Sequence, residues 1–176
     1  ANSMNLHQLR IDFDAEHDRL LLCIATNDEK ELLLWLTRRC VRLLWPLLVE
    51  LIKSDPRIVL QSDPEARAAL LGFEHEKALS QADFSRSYEE AARERPLGSE
   101  PILVSRVTTS TDESGSHVLS FAPSSGHQVN LTLDQTLLHS LCGLLRKVVV
   151  SADWDLELAL PQGAVPDAAR VARTIN

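Results

Sequence analysis

The sequence predicts an α+β protein made of two β-β-β-α-β units, and three observations support this fold class. Strand-like alternation of apolar and polar residues is followed by a capped apolar helix twice along the chain. The two occurrences match without a gap when the sequence is shifted by 97 residues. Both helices are apolar over most of their surface, so we expect them to be central and packed on one antiparallel sheet or on two.

The first unit is predicted to span residues 6–62. Leu9, Ile11 and Phe13 alternate with polar residues, which is typical of a half-buried strand. "RLLLCIAT" and "ELLLWL" predict a second and a third strand, joined by the turn "NDEK". Thr37 then suits the N-cap of the helix "RRCVRLLWPLLVELIK". "SDP" ends the helix, and "RIVLQ" predicts a short fourth strand.

The second unit is predicted to span residues 101–160. "RLLLCIATNDEKELLLWLT" falls on "SHVLSFAPSSGHQVNLTLD", so that Asp134 replaces Thr37 as the N-cap residue. "DLELA" after the second helix corresponds to "RIVLQ". The first strands are out of phase, because Leu9 and Ile11 fall on Arg106 and Thr108, and a register shift or bulge is expected there. The same residue type occupies positions 22 and 119, 25 and 122, 34 and 131, 36 and 133, 44 and 141, 47 and 144, 48 and 145, and 54 and 151.

The remaining segments are predicted to be accessory to one compact domain. Residues 1–5 look like a tag remnant and N-terminus, with Met4 as the natural start. Residues 63–100 form a charged connector in which helices around 64–72 and 86–95 are plausible, although the apolar stripe is thin. Residues 161–176 are expected to be a flexible tail.

The amino-acid composition limits which classes of function the protein can have. The chain has 176 residues, 44% of them hydrophobic, and a net charge of −7, which disfavours non-specific phosphate binding. Cys23, Cys40 and Cys142 lie in apolar patterns and read as small buried residues in a reducing compartment. We expect a cytoplasmic protein, because no apolar stretch is long enough to span a membrane and no signal peptide is recognised.

No motif indicates an enzyme, a cofactor or a metal. Six glycines leave little room for phosphate-binding loops, and no nucleophile elbow is present. A small hydrolase would need a cleft with converging carboxylates or a contact between Cys142 and His139. No histidine pair has the spacing of helical metal ligands, and the histidine in "FEHEK" is expected to be exposed.

The alternating carboxylates after the second helix have a structural explanation. Asp153, Asp155 and Glu157 alternate with apolar residues. A metal site would need carboxylates that converge from more than one element. We therefore expect a strand with one buried face and one charged face that protects a sheet edge.

The third strands of the two units differ on one face. Leu33 and Trp35 occur where the second unit has Asn130 and Thr132. The connector, the other unit, a second subunit or a protein partner must cover these apolar side chains. The leading hypothesis is a non-catalytic interaction or assembly module that self-associates through a surface formed by Leu33, Trp35 and Trp45 of the first helix.

A basic cluster carries the alternative hypothesis. Arg38, Arg39 and Arg42 lie early in the first helix, and Arg146 and Lys147 lie late in the second. Cations at a helix N-terminus face an unfavourable dipole, so they are not placed there for helix stability. They are either a solvated helix face or a contact for nucleic acid or an acidic partner.

The layout resembles the PC4/whirly class of single-stranded nucleic-acid-binding folds. The resemblance is carried by "RLLLCIAT…ELLLWLT…LLWPLL" and "HVLSFAP…QVNLTLD…LCGLL", and it is one of architecture. A strand after each helix departs from that class, and the lysine-rich motif of whirly proteins is missing. The resemblance implies single-stranded nucleic acid as a partner.

Overall fold

The computed structural model describes residues 3–55, 63–81 and 94–160 of the chain. This part of the protein is α+β, with seven strands and three helices. The elements are, in chain order, β1 (Ser3–Asp14), β2 (Arg19–Thr26), β3 (Glu31–Leu36), α1 (Arg38–Lys53), α2 (Pro64–Gln81), β4 (Ile102–Leu103), β5 (Arg106–Thr111), β6 (His117–Ala122), β7 (Val129–Leu133) and α3 (Gln135–Ser151).

The strands form two sheets that share β1. One sheet contains β4, β3, β2 and β1, and the other contains β7, β6 and β5. Residues 3–5 of β1 pair with β7, whereas the rest of β1 pairs with β2 beyond a register shift between Leu6 and Gln8. The prediction of antiparallel sheets is correct for the hairpins. It is wrong for the β1–β7 and β3–β4 pairs, which are parallel.

The two sheets also meet at their far ends. β4 and β5 stand at opposite ends of the strand order, yet only Val104 and Ser105 separate them in the chain. Val104 N donates to Trp35 O of β3 at 3.1 Å, and Ser105 N donates to Ala122 O of β6 at 2.9 Å. Because two residues span at most about 7 Å, the two ends of the order lie side by side. The strands therefore close into a barrel.

The hairpins of the two sheets have matching registers. Leu20 pairs with Leu36 in the β2–β3 hairpin, and His117 pairs with Leu133 in the β6–β7 hairpin. Each residue of the second pair lies 97 positions after its counterpart in the first.

The first strands differ from this offset by one residue. Asp14 pairs with Arg19 across a turn of residues 15–18, whereas Thr111 pairs with His117 across a turn of residues 112–116. The extra residue in the second turn moves β5 by one position relative to β6. The register shift expected from the sequence is therefore present, and its cause is turn length.

Two capped helices follow β3 and β7. The side chains of Thr37 and Asp134 accept hydrogen bonds from the backbone N–H groups of Cys40 (3.1 Å) and Leu137 (2.8 Å), which begins each helix at the predicted residue. α1 and α3 contact each other, α1 also contacts β5, and α3 also contacts β1. The buried core includes Leu20, Leu22, Ile24, Leu32, Leu34, Leu36, Leu44, Leu48, Ile52, Phe121, Leu131, Leu138 and Leu145.

The strand predicted after the second helix is not formed. Residues 152–160 are irregular, although burial alternates as expected, with Trp154 buried and Asp153, Asp155 and Glu157 exposed. Alternating burial needs two environments, but a strand also needs a backbone partner, and this segment pairs with no strand among the described residues. "RIVLQ" of the first half lies outside the described residues.

Residues 152–160 instead form a strap, called here the C-terminal strap. Trp154 Nε1 donates to Asp18 Oδ1 at 2.7 Å, and its ring meets the edge of Phe13 at a centroid distance of 6.1 Å. Trp45 Nε1 of α1 donates to Ala159 O at 3.0 Å. The strap thus ties α1 to the first hairpin.

The connector contains a longer helix than predicted, and its end also contacts the barrel. α2 extends to Gln81, nine residues beyond the predicted end, while the second predicted helix lies mostly among undescribed residues. Glu94 then forms a parallel bridge to Lys30, and Arg95 Nε lies 3.0 Å from Glu31 Oε2. Residues 94 and 95 therefore lie beside the start of β3.

Candidate functional site

The outer surface of β2, β3 and β4 carries an apolar patch. Leu33 and Trp35 point away from the core and are half-buried, because the alternate residues of β3 face inward. Leu21 and Leu103 are the cross-strand partners of Trp35 on either side, and Leu103 is 43% exposed. We call the surface of Leu21, Leu33, Trp35 and Leu103 the β3 patch.

The matching surface of the other hairpin is polar. Asn130 and Thr132 of β7 are half-buried, and Thr132 pairs with Val118 as Trp35 pairs with Leu21. Asn130 Oδ1 accepts hydrogen bonds from Ser120 Oγ and from Gln128 Nε2, each at 2.7 Å. The outer faces of the two hairpins thus differ in polarity, and of these two faces the β3 patch is the one that presents indole and leucine side chains.

The rim of the β3 patch carries both signs of charge. Arg10 and Asp12 of β1 lie opposite Cys23 and Leu21 on the same outer face. Arg10 Nε and Asp12 Oδ2 form an ion pair of 2.6 Å. The His17 ring lies against the Trp35 indole at a centroid distance of 5.5 Å. A rim of both signs suits a partner surface with the same pattern.

Trp45 is not part of this surface, which corrects the sequence prediction. Its side chain is 6% exposed and belongs to the core, and its indole N–H is taken by the C-terminal strap. The spacing explains its burial, because Trp45 lies four residues after Val41 and three before Leu48, on the buried face of α1. Leu43, on the other side of α1, is 50% exposed.

The basic cluster divides into two environments. Arg38, Arg39 and Arg42 are exposed on α1, and Arg38 Nη2 approaches Asp155 O at 3.4 Å. Arg146 is half-buried on α3, where its charge acts on His75 and Cys142, and Lys147 is exposed. The three α1 arginines therefore form one surface, and Arg146 belongs to a different neighbourhood.

The cysteines are buried, as predicted. Burial raises the pKa of the Cys23 and Cys40 thiols to about 11 and that of Cys142 to about 12. A thiol with such a pKa is protonated at neutral pH and is a poor nucleophile. These side chains act as small apolar residues of the core.

The described residues hold no group of three or more side chains suited to bind a metal. Asp153, Asp155 and Glu157 are exposed along the C-terminal strap. None of the described helices is long and apolar enough to cross a membrane.

A buried histidine pair is the feature that sequence reasoning missed. His75 of α2 and His139 of α3 approach with their Nδ1 atoms 2.6 Å apart, and the ring centroids are 4.8 Å apart. His75 was expected to be exposed, but it is only 7% exposed, and His139 is 2% exposed. The available signal was the spacing of Leu71, His75 and Ala78, which share one helical face once α2 extends beyond residue 72.

Comparison with known proteins gave no relative. No protein-family model, curated protein or solved structure matches the chain.

Proposed function

We propose that the protein is a non-catalytic assembly module, built from two related halves, that self-associates through the β3 patch. The single observation that carries the proposal is the contrast between the β3 patch and the polar face of β7. The β3 patch and the outer face of β7 occupy equivalent positions and have the same backbone environment. The difference in their polarity therefore reflects a difference in what each face contacts. An indole flanked by leucines at a half-buried position is typical of the centre of an interface.

The relationship between the halves supports this comparison. The hairpin registers and both helix caps recur at an offset of 97 residues, and the parallel pairs Met4–Leu131 and Ile102–Leu34 have equivalent positions once the extra turn residue is counted. Duplication followed by divergence of one face explains this pattern economically. The order of elements shared by both halves is then β-β-β-α.

A second copy of the chain is the occupant that the rim favours. In a two-fold dimer the same patch lies on both sides, so a residue at the rim meets the rim of the other copy. Arg10 and Asp12 provide charges of both signs there, which avoids like-charge contact although the chain has a net charge of −7. The closed barrel also favours association through side chains, because β4 already pairs with the outer edge of β3.

Replacing Trp35 with aspartate tests the proposal. We expect a loss of at least about 30-fold in self-association, the effect of removing a central interface residue worth about 2 kcal/mol. Multi-angle light scattering across a concentration series measures it. Thr132→Asp is the matched control, because it places the same charge at the equivalent position of β7, and it should leave the mass unchanged.

A second variant tests the same surface with a smaller risk of misfolding. Leu33→Asn with Trp35→Thr converts the β3 patch into the residues found on β7, and it is expected to yield a folded monomer by circular dichroism. Self-association should persist or strengthen with salt, because salt screens the repulsion between two acidic copies. A wild-type chain that remains monomeric at every concentration rejects the proposal.

Single-stranded nucleic-acid binding is the second candidate, supported by the exposed arginines of α1. Three phosphate contacts predict a slope of log affinity against log salt of about −2. Fluorescence anisotropy with a labelled oligonucleotide measures this slope, and Arg39→Ala with Arg42→Ala should abolish most of the binding. Self-association and nucleic-acid binding have opposite salt dependence, so one titration distinguishes them. Absence of binding at low salt excludes this candidate.

A further inference from the structure

α2 is held on the rest of the protein by a narrow contact. Its buried side chains among the described residues are Leu71, His75 and Ala78, which lie on one face at spacings of four and three residues. The opposite face is exposed, and Phe73 there is 62% exposed. α2 contacts α3 along this narrow face. His75 is therefore the largest polar side chain in the small surface by which α2 docks on α3.

The two imidazoles of the contact form a direct hydrogen bond. Their Nδ1 atoms are 2.6 Å apart, so one ring donates its N–H and the other accepts. This arrangement needs a single proton between two nitrogens. A shared metal ion does not explain the geometry, because two nitrogens at about 2.0–2.1 Å from a tetrahedral zinc ion lie more than 3 Å apart.

The surroundings oppose a second proton. Burial is the main reason that the pKa of His75 lies below its ordinary value of 6.5. Arg146 of α3 lowers this pKa further, and Glu76 of α2 partly offsets that effect. Cys142, one helical turn from His139, is a neutral thiol and provides no countercharge. A doubly protonated pair would place two cations in contact beside a third.

We propose that the His75–His139 pair is a pH-sensitive latch that holds α2 on α3 while at least one ring is neutral and can accept the hydrogen bond, and releases α2 when both rings are protonated. Undocking of α2 exposes His75 to water, where its affinity for protons returns to the ordinary value. Docking is therefore fully stable above pH 6.5, and it weakens as the pH falls from there towards the lower pKa of the docked state.

Hydrogen exchange of the intact chain tests the latch. Peptides from α2 are compared with peptides from β2 and β6 across a pH series, after correction for intrinsic exchange rates. We expect the protection of α2 to fall by up to about tenfold per pH unit below 6.5 for each proton taken up, while the strands keep their protection. A flat profile for α2 overturns the proposal.

Substitutions assign the effect to the pair. His75→Leu with His139→Leu replaces both rings by apolar groups, and docking in this variant should no longer depend on pH. His127→Leu is the matched control, because His127 is exposed in the turn before β7, and it should keep the wild-type profile. Pair titration is read independently from the imidazole proton resonances of the wild-type chain. A midpoint that differs from that of the loss of α2 protection also overturns the proposal, even if the double variant fails to dock.

Discussion

Replacement of Phe121 by alanine is expected to lower the free energy of unfolding by about 3–5 kcal/mol. Phe121 lies on β6 and is 1% exposed, and it is the largest of the fully buried side chains. Its removal leaves a cavity in a core shared by both sheets, which rigid strands cannot fill. Urea denaturation followed by far-ultraviolet circular dichroism measures the loss.

The same variant tests barrel closure. Two of the three tryptophans, Trp35 and Trp45, belong to the first half, whereas Phe121 belongs to the second, so the fluorescence is measured in a Trp154→Phe background. If the two halves unfold as one unit, Phe121→Ala moves the transition seen by tryptophan fluorescence as far as the transition seen by circular dichroism. Thr108→Ala, on the exposed side of β5, should change stability by less than about 0.5 kcal/mol. Two separate transitions in the variant would contradict closure.

Replacement of Trp154 by alanine is expected to cost a similar amount, about 3–5 kcal/mol. Trp154 fills the space beside Phe13 and donates its indole N–H to Asp18, so its loss frees the C-terminal strap from the first hairpin. Thermal unfolding measures the effect. Trp154→Phe keeps much of the buried ring but removes the donor, and it should cost less than alanine.

Asp18 provides the matched control for this contact. It has a backbone φ of 51°, a left-handed conformation that asparagine and aspartate tolerate better than most residues. Asp18→Asn keeps an acceptor oxygen and this tolerance, so we expect nearly wild-type stability. Asp18→Ala loses both and should be less stable. Equal stability of Trp154→Ala and the wild type would show that the strap is not part of the folded core.

Local features of the fold were predictable from the sequence. The hairpins and both N-caps depend on residues close together in the chain, such as Thr37 with Cys40 and Asp134 with Leu137. The parallel joins and the closure through Val104 and Ser105 were not predictable, because alternation reports burial and does not identify a strand's neighbour. The same limitation explains the incorrect strand at 155–159.

The same distinction between local and long-range information applies to the candidate sites. Leu33 and Trp35 were recognised because the comparison with Asn130 and Thr132 is available in the sequence itself. Trp45 was placed wrongly, since its spacing puts it on the same face of α1 as the other buried residues of that helix. The histidine pair depends on a contact between residues 64 positions apart, so the spacing within α2 could indicate that His75 is buried but could not identify His139 as its partner.

The parallel joins have a consequence for aggregation. Among the described residues, β1 pairs with β7 at residues 3–5 and β3 pairs with β4 at Leu34 and Trp35, so the rest of these backbone edges depends on other cover. α3 contacts β1 and α1 contacts β5, which places a helix against each first strand. Strand-templated fibril growth requires a bare edge. Conditions that detach these helices before the hairpins unfold would expose such edges, so we expect the helices to protect the protein from fibril growth as well as to form part of its core.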